Sequence, residues 1–350
     1  MAGPRIPPDG VFVPVPTFFK PRSSPSQQAA VDVETQVAHS VHLARSGITG
    51  LVLLGSTGEA IHLSRAERRD FLGGVRKGLE AAGFPDYPIM AGVLTNSVDE
   101  VQEWLEDSRD AGAQWGLVLA PGYFGAAASQ ENIVEWYTVV ADRSPLPVLI
   151  YNYPGVTNNL LVSPETYVKL AAHPNIVGCK MYAPLASAFH SIPQALSPLT
   201  LPSNNRSHGN VSHHVQMSLH PQIDAASFRV FSGFGQQLGP IVLFGAAGVI
   251  DGLAAIYPKT VSRLFALAAK RPVDDDTLKE LRDLQFRVSA AEEFVGKTGI
   301  LGIKEGVFRV LGLGNLEGGR LPLRGKLAEG EWEKWAAETG RMDEIEKSIK

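Results

Sequence analysis

The sequence NIVGCKM, residues 175–181, is the stretch on which the fold assignment depends. A short apolar run that follows a proline, here Pro174, is typical of a buried parallel strand. Lys180 stands at the carboxyl end of this run, where burial disfavours the ammonium form and lowers the pKa of the amine. A neutral amine can attack a carbonyl carbon and form a Schiff base. Taken alone, the stretch also allows a lysine that simply extends from the strand end into solvent.

Working outward, similar apolar runs recur through the chain, and helical patterns lie between most of them. The other strand candidates are 10–19, 49–54, 88–94, 115–120, 147–151, 228–232 and 248–251, and the helical patterns are 32–46, 64–82, 97–111, 129–141, 163–172 and 257–270. Eight β/α units in one chain predict an α/β fold, a closed TIM (β/α)8 barrel. A doubly wound open sheet is the alternative. Helical patterns at 275–291, 299–311 and 329–349 predict a C-terminal helical extension.

These patterns divide the chain into an N-terminal tail (1–9), the barrel (10–271) and a C-terminal helical region (272–350). The interval between the sixth and seventh strand candidates is longer than the one before it. Within it, residues 183–206 contain four prolines and four serines but no acid and no lysine, and show neither helical nor strand periodicity. The sequence therefore predicts an irregular insertion at 182–206, close behind Lys180.

Composition argues against several classes of function. The 32 Lys and Arg residues against 36 Asp and Glu residues give a net charge of −4 without a basic stripe, so we expect no nucleic acid and no membrane partner. The single cysteine, Cys179, rules out an internal disulfide and a Cys-based zinc cage, and strand alternation places it opposite Lys180. The N-terminus lacks the apolar core of a signal peptide. We expect a cytoplasmic location, and a mitochondrial one stays open.

Polar and aromatic residues follow several of the predicted strands, and in a barrel of this type the active site lies at the carboxyl ends of the strands. The loop Gly55-Ser56-Thr57-Gly58-Glu59 offers two hydroxyls and backbone N–H groups, which suit a small carboxylate. Tyr151 and Tyr123 place phenols at two further strand ends, where a phenol can carry a proton. The alternatives are an ordinary Gly-rich turn and tyrosines that cap the core with a wet hydroxyl.

Three of these motifs, in this order and spacing, resemble the dihydrodipicolinate synthase / N-acetylneuraminate lyase family of class I pyruvate aldolases. They are Gly55–Glu59, Tyr151-Asn152-x-Pro154 and Gly178-x-Lys180, and the match extends to 231–233 and 248–250. The resemblance covers about residues 10–312. It implies a TIM barrel with a C-terminal helical domain, a homotetramer built as a dimer of dimers, and a 2-oxo acid as substrate.

The resemblance also implies a role for each matching residue. Lys180 would form the Schiff base with pyruvate or another 2-oxo acid, and Tyr151 would be the acid/base. The substrate carboxylate would bind at Gly55, Ser56 and Thr57, whose hydroxyls would also relay protons. Tyr123 would reach into the site of a neighbouring subunit, and Ile250 would give a backbone contact to pyruvate. We expect no metal and no organic cofactor, because the lysine iminium is itself the electron sink.

Two kinds of departure from the family pattern bear on the expected activity, and the first is at single positions. The synthase branch has an arginine where this chain has Val156, and often an acid where this chain has Phe234. We therefore expect an aldolase of the eukaryotic branch, which cleaves a 4-hydroxy-2-oxo acid or 2-keto-3-deoxy sugar acid to pyruvate plus an aldehyde. The alternatives are 4-hydroxy-tetrahydrodipicolinate synthase and a non-catalytic paralogue disabled by the insertion.

The insertion is the second departure. Removing 182–206 would join Met181 to Ser207 and restore the family register, so we hypothesise that the segment comes from an unspliced intron or an error in the gene model. Sequencing the mature transcript tests this, and a message that contains the segment contradicts it.

Overall fold

The computed structural model describes residues 5–24, 27–181, 214, 217–317 and 319–349, and it confirms the predicted barrel. Each parallel strand pairs with the next, and the last pairs with the first, so the open doubly wound sheet is wrong. The strands are β1 (Gly10–Pro14), β2 (Gly50–Leu53), β3 (Ile89–Val93), β4 (Trp115–Leu119), β5 (Val148–Asn152), β6 (Ile176–Met181), β7 (Arg229–Ser232) and β8 (Gly248–Ile250).

Helices surround the ring, and serine residues begin several of them. The side chains of Ser64, Ser97, Ser129 and Ser163 each accept a hydrogen bond from a backbone N–H in the first turn, a cap that contributes about 1 kcal/mol. The helices are α1 (Val33–Arg45), α2 (Arg65–Ala81), α3 (Val98–Asp110), α4 (Gln130–Arg143), α5 (Pro164–Ala171), α6 (Leu238–Leu243), α7 (Pro258–Ala269), α8 (Asp275–Leu311) and α9 (Ala336–Ser348).

Large side chains fill the amino-terminal end of the barrel. Trp115 is fully buried at the start of β4, and its indole N–H donates to the Arg5 carbonyl at 2.7 Å. Phe12 and Phe231 meet edge to face, with ring centroids 5.5 Å apart. Cys179 is buried in the layer between strands and helices, on the face that the sequence predicts. Filling one end of the barrel leaves the carboxyl ends of the strands as the place for a cavity.

The C-terminal region packs on the barrel through α8 and α9. The sequence predicts separate helices at 275–291 and 299–311, whereas the structure has one long helix with a kink between its halves. The kink lies at Gly299, whose backbone has φ 60° and ψ −143°, outside the helical region. Glycine tolerates this conformation because it lacks a Cβ. As a result, one face of α8 turns over the carboxyl ends of the strands.

The predicted insertion at 182–206 lies outside the described residues. The division of the chain into tail, barrel and C-terminal region stays a prediction, although residues 5–9 already contact the barrel through Arg5 and Ile6. Within the described ranges, the helices are all too short or too polar to cross a bilayer.

Candidate active site

A cavity of about 390 Å³ opens at the carboxyl ends of the strands. Its volume lies within the range of small-molecule sites. The structure brings six of the seven predicted site residues to this cavity: Ser56, Thr57, Tyr123, Tyr151, Lys180 and Ile250. The convergence of residues from five different strand ends supports the interpretation of these loops as one site.

Lys180 and Tyr151 are direct neighbours across the β5–β6 pairing. The Lys180 amine lies 4.7 Å from the centroid of the Tyr151 ring, and the residue is only 5% exposed. Burial lowers the pKa of Lys180 to about 7, and the negative charge of Asp251 opposes this shift. A large fraction of the amine is therefore neutral near pH 7, as attack on a carbonyl requires.

The Tyr151 hydroxyl lies 3.2 Å from the Ser56 hydroxyl, and either group can donate this hydrogen bond. Burial raises the pKa of Tyr151 above its usual value, and the hydrogen bond to Ser56 opposes the shift. The phenol therefore keeps its proton at neutral pH. Such a group can donate or relay a proton, but it is rarely present as the free phenolate.

A sharp turn after β2 presents the two hydroxyls of the predicted carboxylate site. Leu54 and Glu59, at its two ends, both have positive φ (60° and 50°). The Thr17 hydroxyl donates to the Gly58 carbonyl at 2.6 Å and braces the turn. Gly55 does not itself line the cavity; its α-carbon would lie 2.8 Å from a Cβ added to Gly92. The missing side chain of Gly92 thus allows β3 to approach this turn closely, while the role of Gly55 toward substrate stays a prediction.

Tyr123 differs from the other predicted residues because it is 72% exposed. Its ring meets that of Phe124, itself 75% exposed, edge to face with centroids 4.9 Å apart. Both side chains stand at the rim of the site rather than in its interior. The expectation that Tyr123 reaches a neighbouring subunit is compatible with this exposure and stays a prediction.

Two buried pairs of ionisable residues at the cavity are absent from the sequence predictions. Glu59 is ion-paired with Lys304 of α8, and its second oxygen lies 3.3 Å from Nδ1 of His62. Asp251, directly after β8, lies beside Glu292 of α8. The position of Asp251 at a strand end was a usable signal, whereas nothing in the sequence indicated which residues of α8 face the barrel.

Fold and site together define a (β/α)8-barrel protein with a buried lysine–tyrosine pair in a cavity at the carboxyl ends of its strands. The chain belongs to the dihydrodipicolinate synthetase family, whose family model matches residues 10–194.

Several relatives resemble the chain over most of its length. It is 31% identical to an L-threo-3-deoxy-hexylosonate aldolase of Aspergillus niger, with 97% of this chain and 96% of the relative covered. It is 30% identical to a "probable 4-hydroxy-2-oxoglutarate aldolase, mitochondrial" of Emericella nidulans, with 87% and 86% covered. A crystal structure of a dihydrodipicolinate synthase family protein from Coccidioides immitis superposes with a TM-score of 0.78 at 29% identity, covering 99% of each chain.

Proposed function

We propose that the chain is a class I aldolase, a lyase that cleaves a 4-hydroxy-2-oxo acid or 2-keto-3-deoxy sugar acid to pyruvate plus an aldehyde. The observation that carries the proposal is the Lys180–Tyr151 pair: a buried amine with a pKa near 7, against a protonated phenol, in one cavity. The aldolase names of relatives that match nearly the whole chain support the same reaction.

In the proposed reaction the neutral Lys180 amine attacks the C2 carbonyl carbon of the substrate. A C–N bond forms, the carbonyl oxygen takes up a proton, and the resulting carbinolamine loses water to give an iminium. The C3–C4 bond then breaks as the C4 hydroxyl loses its proton and becomes the aldehyde. The bonding electrons move onto C3 and the iminium nitrogen as an enamine, which is protonated at C3 and hydrolysed to pyruvate.

Tyr151 and Ser56 would move the protons in these steps. The raised pKa of Tyr151 disfavours a free phenolate, so the phenol passes its own proton to Ser56 as it takes one from the C4 hydroxyl, and Ser56 releases its hydroxyl proton to solvent in turn. The proton later taken up at C3 of the enamine balances the one released. The 3.2 Å contact between the two hydroxyls is short enough for this relay. The same phenol donates a proton to the carbinolamine oxygen when water leaves.

The substrate carboxylate would bind at the turn after β2. Ser56 and Thr57 both line the cavity, and their hydroxyls are donors of the size that a small carboxylate accepts. This places the carboxylate on the Tyr151 side of the cavity. The rest of the substrate then extends toward Val156, Phe234 and helix α8, which also line the cavity.

The alternative synthase activity is less well supported. Val156 and Phe234 both line the cavity, so the positions at which the synthase branch has an arginine and often an acid are filled by apolar side chains. A valine cannot make the bidentate contact that an arginine makes with a carboxylate. A non-catalytic paralogue has less support too, because the amine, the phenol and a cavity between them are all retained.

Several attributes of the proposed enzyme remain predictions. These are assembly as a dimer of dimers, independence from metals and cofactors, and the cytoplasmic location.

Borohydride trapping with pyruvate tests the proposal. The reagent reduces an iminium to a stable secondary amine, so we expect peptide mass spectrometry to find a reduced pyruvyl adduct on Lys180. Chains with and without residues 182–206 are compared, and Lys304, a second buried lysine, serves as the internal control. An unmodified Lys180 under saturating pyruvate in both chains contradicts the proposed function.

A further inference from the structure

Helix α8 covers the end of the cavity that the proposed mechanism leaves unassigned. Six of its residues line the cavity at helical spacing, on one face: Glu292, Val295, Gly296, Gly299, Ile300 and Ile303. Glu292 is the charged member of this face and is only 4% exposed. A buried carboxyl group at an otherwise apolar surface is costly unless it has a partner or a task.

Glu292 lies against Asp251, and both carboxyl groups converge on Gly235. A Cβ added to Gly235 would lie 2.8 Å from Oε1 of Glu292 and 3.1 Å from Oδ2 of Asp251. Asp251 has its own donors, because the N–H groups of Gly235 and Ala254 each donate to it at 3.2 Å. The Gly235 N–H lies near both carboxyl groups but meets hydrogen-bond geometry only toward Asp251, so the buried Oε1 of Glu292 has no well-aligned donor within the described chain.

A proton on Glu292 resolves this arrangement. Burial raises the pKa of Glu292 well above its usual range, the neighbouring charge of Asp251 raises it further, and the Gly235 N–H opposes this shift only in part. The neutral acid can donate from the buried Oε1 to Asp251. Because Glu292 lines the cavity, its other oxygen, Oε2, is then the acceptor that a ligand could use. The complement of such an oxygen is a hydroxyl group, which brings the donor that Oε2 lacks.

A carboxylate at the same position would be disfavoured. It has no proton to donate, and it would place a second negative charge near Asp251. Among the described residues that line the cavity, the basic side chains are Lys180, which the imine uses, and His62, which contacts Glu59. The described part of the cavity therefore supplies no free cation for a substrate tail that ends in a carboxylate.

We propose that Glu292 recognises the aldehyde half of the substrate, and that it selects tails with hydroxyl groups over tails that end in a second carboxylate. This inference rests on the proposed aldolase function and makes it narrower: the substrate class is the 2-keto-3-deoxy sugar acids rather than 4-hydroxy-2-oxo dicarboxylates. Glu292 acts on specificity and takes no part in bond making at C2, C3 or C4.

The test compares two aldehydes in the condensation direction, at saturating pyruvate, with product followed by NMR. Glyceraldehyde carries hydroxyl groups, and glyoxylate carries a carboxylate. We expect the full-length protein to have the higher kcat/KM for glyceraldehyde. Replacing Glu292 by leucine (E292L) should lower kcat/KM for glyceraldehyde about tenfold, the usual size of one lost hydrogen bond, while that for glyoxylate is maintained or rises.

Two further variants make the result specific. In E292Q the amide can donate to Asp251 and still present an acceptor, so its preference should stay within about threefold of the parent. E293Q is the matched control on the same helix, because Glu293 accepts a bond from Gln236 at 2.8 Å outside the cavity lining. Its preference should not change.

A parent enzyme that prefers glyoxylate overturns the inference, as does an E292L variant with an unchanged ratio or an E292Q variant that loses as much as E292L. If E292L does not fold, the test rests on the ratio of kcat/KM for the two aldehydes in the parent and in E292Q. Borohydride trapping of pyruvate on Lys180 in the same preparations separates a failure of the proposed aldolase function from a failure of the role of Glu292. Trapping with no hydroxyl preference removes only the role of Glu292, whereas failure of trapping removes the proposed function and this inference with it.

Discussion

Two buried lysines, one on a barrel strand and one on helix α8, have closely similar surroundings but differ in their charged partners. The amine of Lys180 lies 4.7 Å from the centroid of Tyr151, and the amine of Lys304 lies 4.6 Å from the centroid of Phe19. The residues are 5% and 9% exposed. Lys304 is ion-paired with the buried Glu59, whereas Lys180 has no ion pair within the described chain.

The difference shows what separates a structural amine from a reactive one. Burial lowers the pKa of both lysines, but Glu59 opposes this shift directly at Lys304 and favours the ammonium form. At Lys180 the opposing charge, Asp251, acts without direct ion pairing, and the pKa falls to about 7. Aromatic contact and burial are common to both sites, so the missing carboxylate and the hydroxyl of Tyr151 are what the chemistry requires.

Replacing each of the two lysines by methionine, in separate variants, is the most direct test of the difference between them. We expect K180M to lower kcat for aldol cleavage by a factor on the order of 10⁴ or more, because no other described residue of the cavity can form the imine. K304M should keep imine formation in its folded fraction. Steady-state kinetics and borohydride trapping measure the contrast, and substantial turnover by K180M would contradict the assignment of Lys180 as the nucleophile.

Tyr151→Phe makes the ring beside Lys180 chemically like Phe19 beside Lys304. We expect kcat to fall about 10²–10⁴-fold, the usual contribution of a positioned acid/base, because the relay to Ser56 is lost while the ring packing stays. Tyr153→Phe is the matched control, since Tyr153 also lines the cavity and stacks on Tyr151, with centroids 6.1 Å apart. Equal losses of kcat in both variants would remove the special role of Tyr151.

For stability we expect K304M, rather than K180M, to be the more damaging substitution, because Lys304 is the lysine with an ion pair. K304M leaves Glu59 buried without its cation, and we expect a loss of about 3–5 kcal/mol in the free energy of unfolding. Adding Glu59→Gln to K304M should recover much of this loss, because the uncompensated charge is then gone. Denaturant unfolding measures both variants. If K304M is as stable as the parent, the pair does not hold α8 on the barrel.

The sequence was sufficient for the barrel because the strands are short apolar runs, and helices with side-chain caps follow the first five of them. Such patterns depend on neighbouring residues alone, and the ends of most strands and helices lie within a few residues of their predicted positions. The exceptions are β1, which ends at Pro14 rather than Phe19, α9, which begins at Ala336 rather than 329, and α6, which the sequence analysis did not predict. Lys180 and Tyr151 were predictable for a related reason: residues at the carboxyl ends of parallel strands must meet at one end of the barrel.

The contacts of Lys304 with Glu59 and of Glu292 with Asp251 could not be predicted from strand ends alone. Lys304 and Glu292 belong to α8, and the register of a helix on the barrel depends on long-range packing and on the kink at Gly299. Glu59 lies in the turn after β2, and its partner Lys304 is 245 residues away in the chain. Short-range periodicity carries no information at that separation.

The pH dependence of imine formation sharpens the comparison without any substitution. The pKa of Lys180 is lowered from 10.5 to about 7 because burial penalises the ammonium form, and only the neutral amine attacks. The trapping rate at fixed pyruvate should therefore fall about tenfold per pH unit below pH 7 and level off above it. Tyr151 stays protonated through this range because its pKa is raised, so it adds no second pH-dependent step to the rate profile. A rate that keeps rising from pH 7 to pH 10 would show that Lys180 titrates like an ordinary exposed lysine, and the contrast with Lys304 would lose its electrostatic basis.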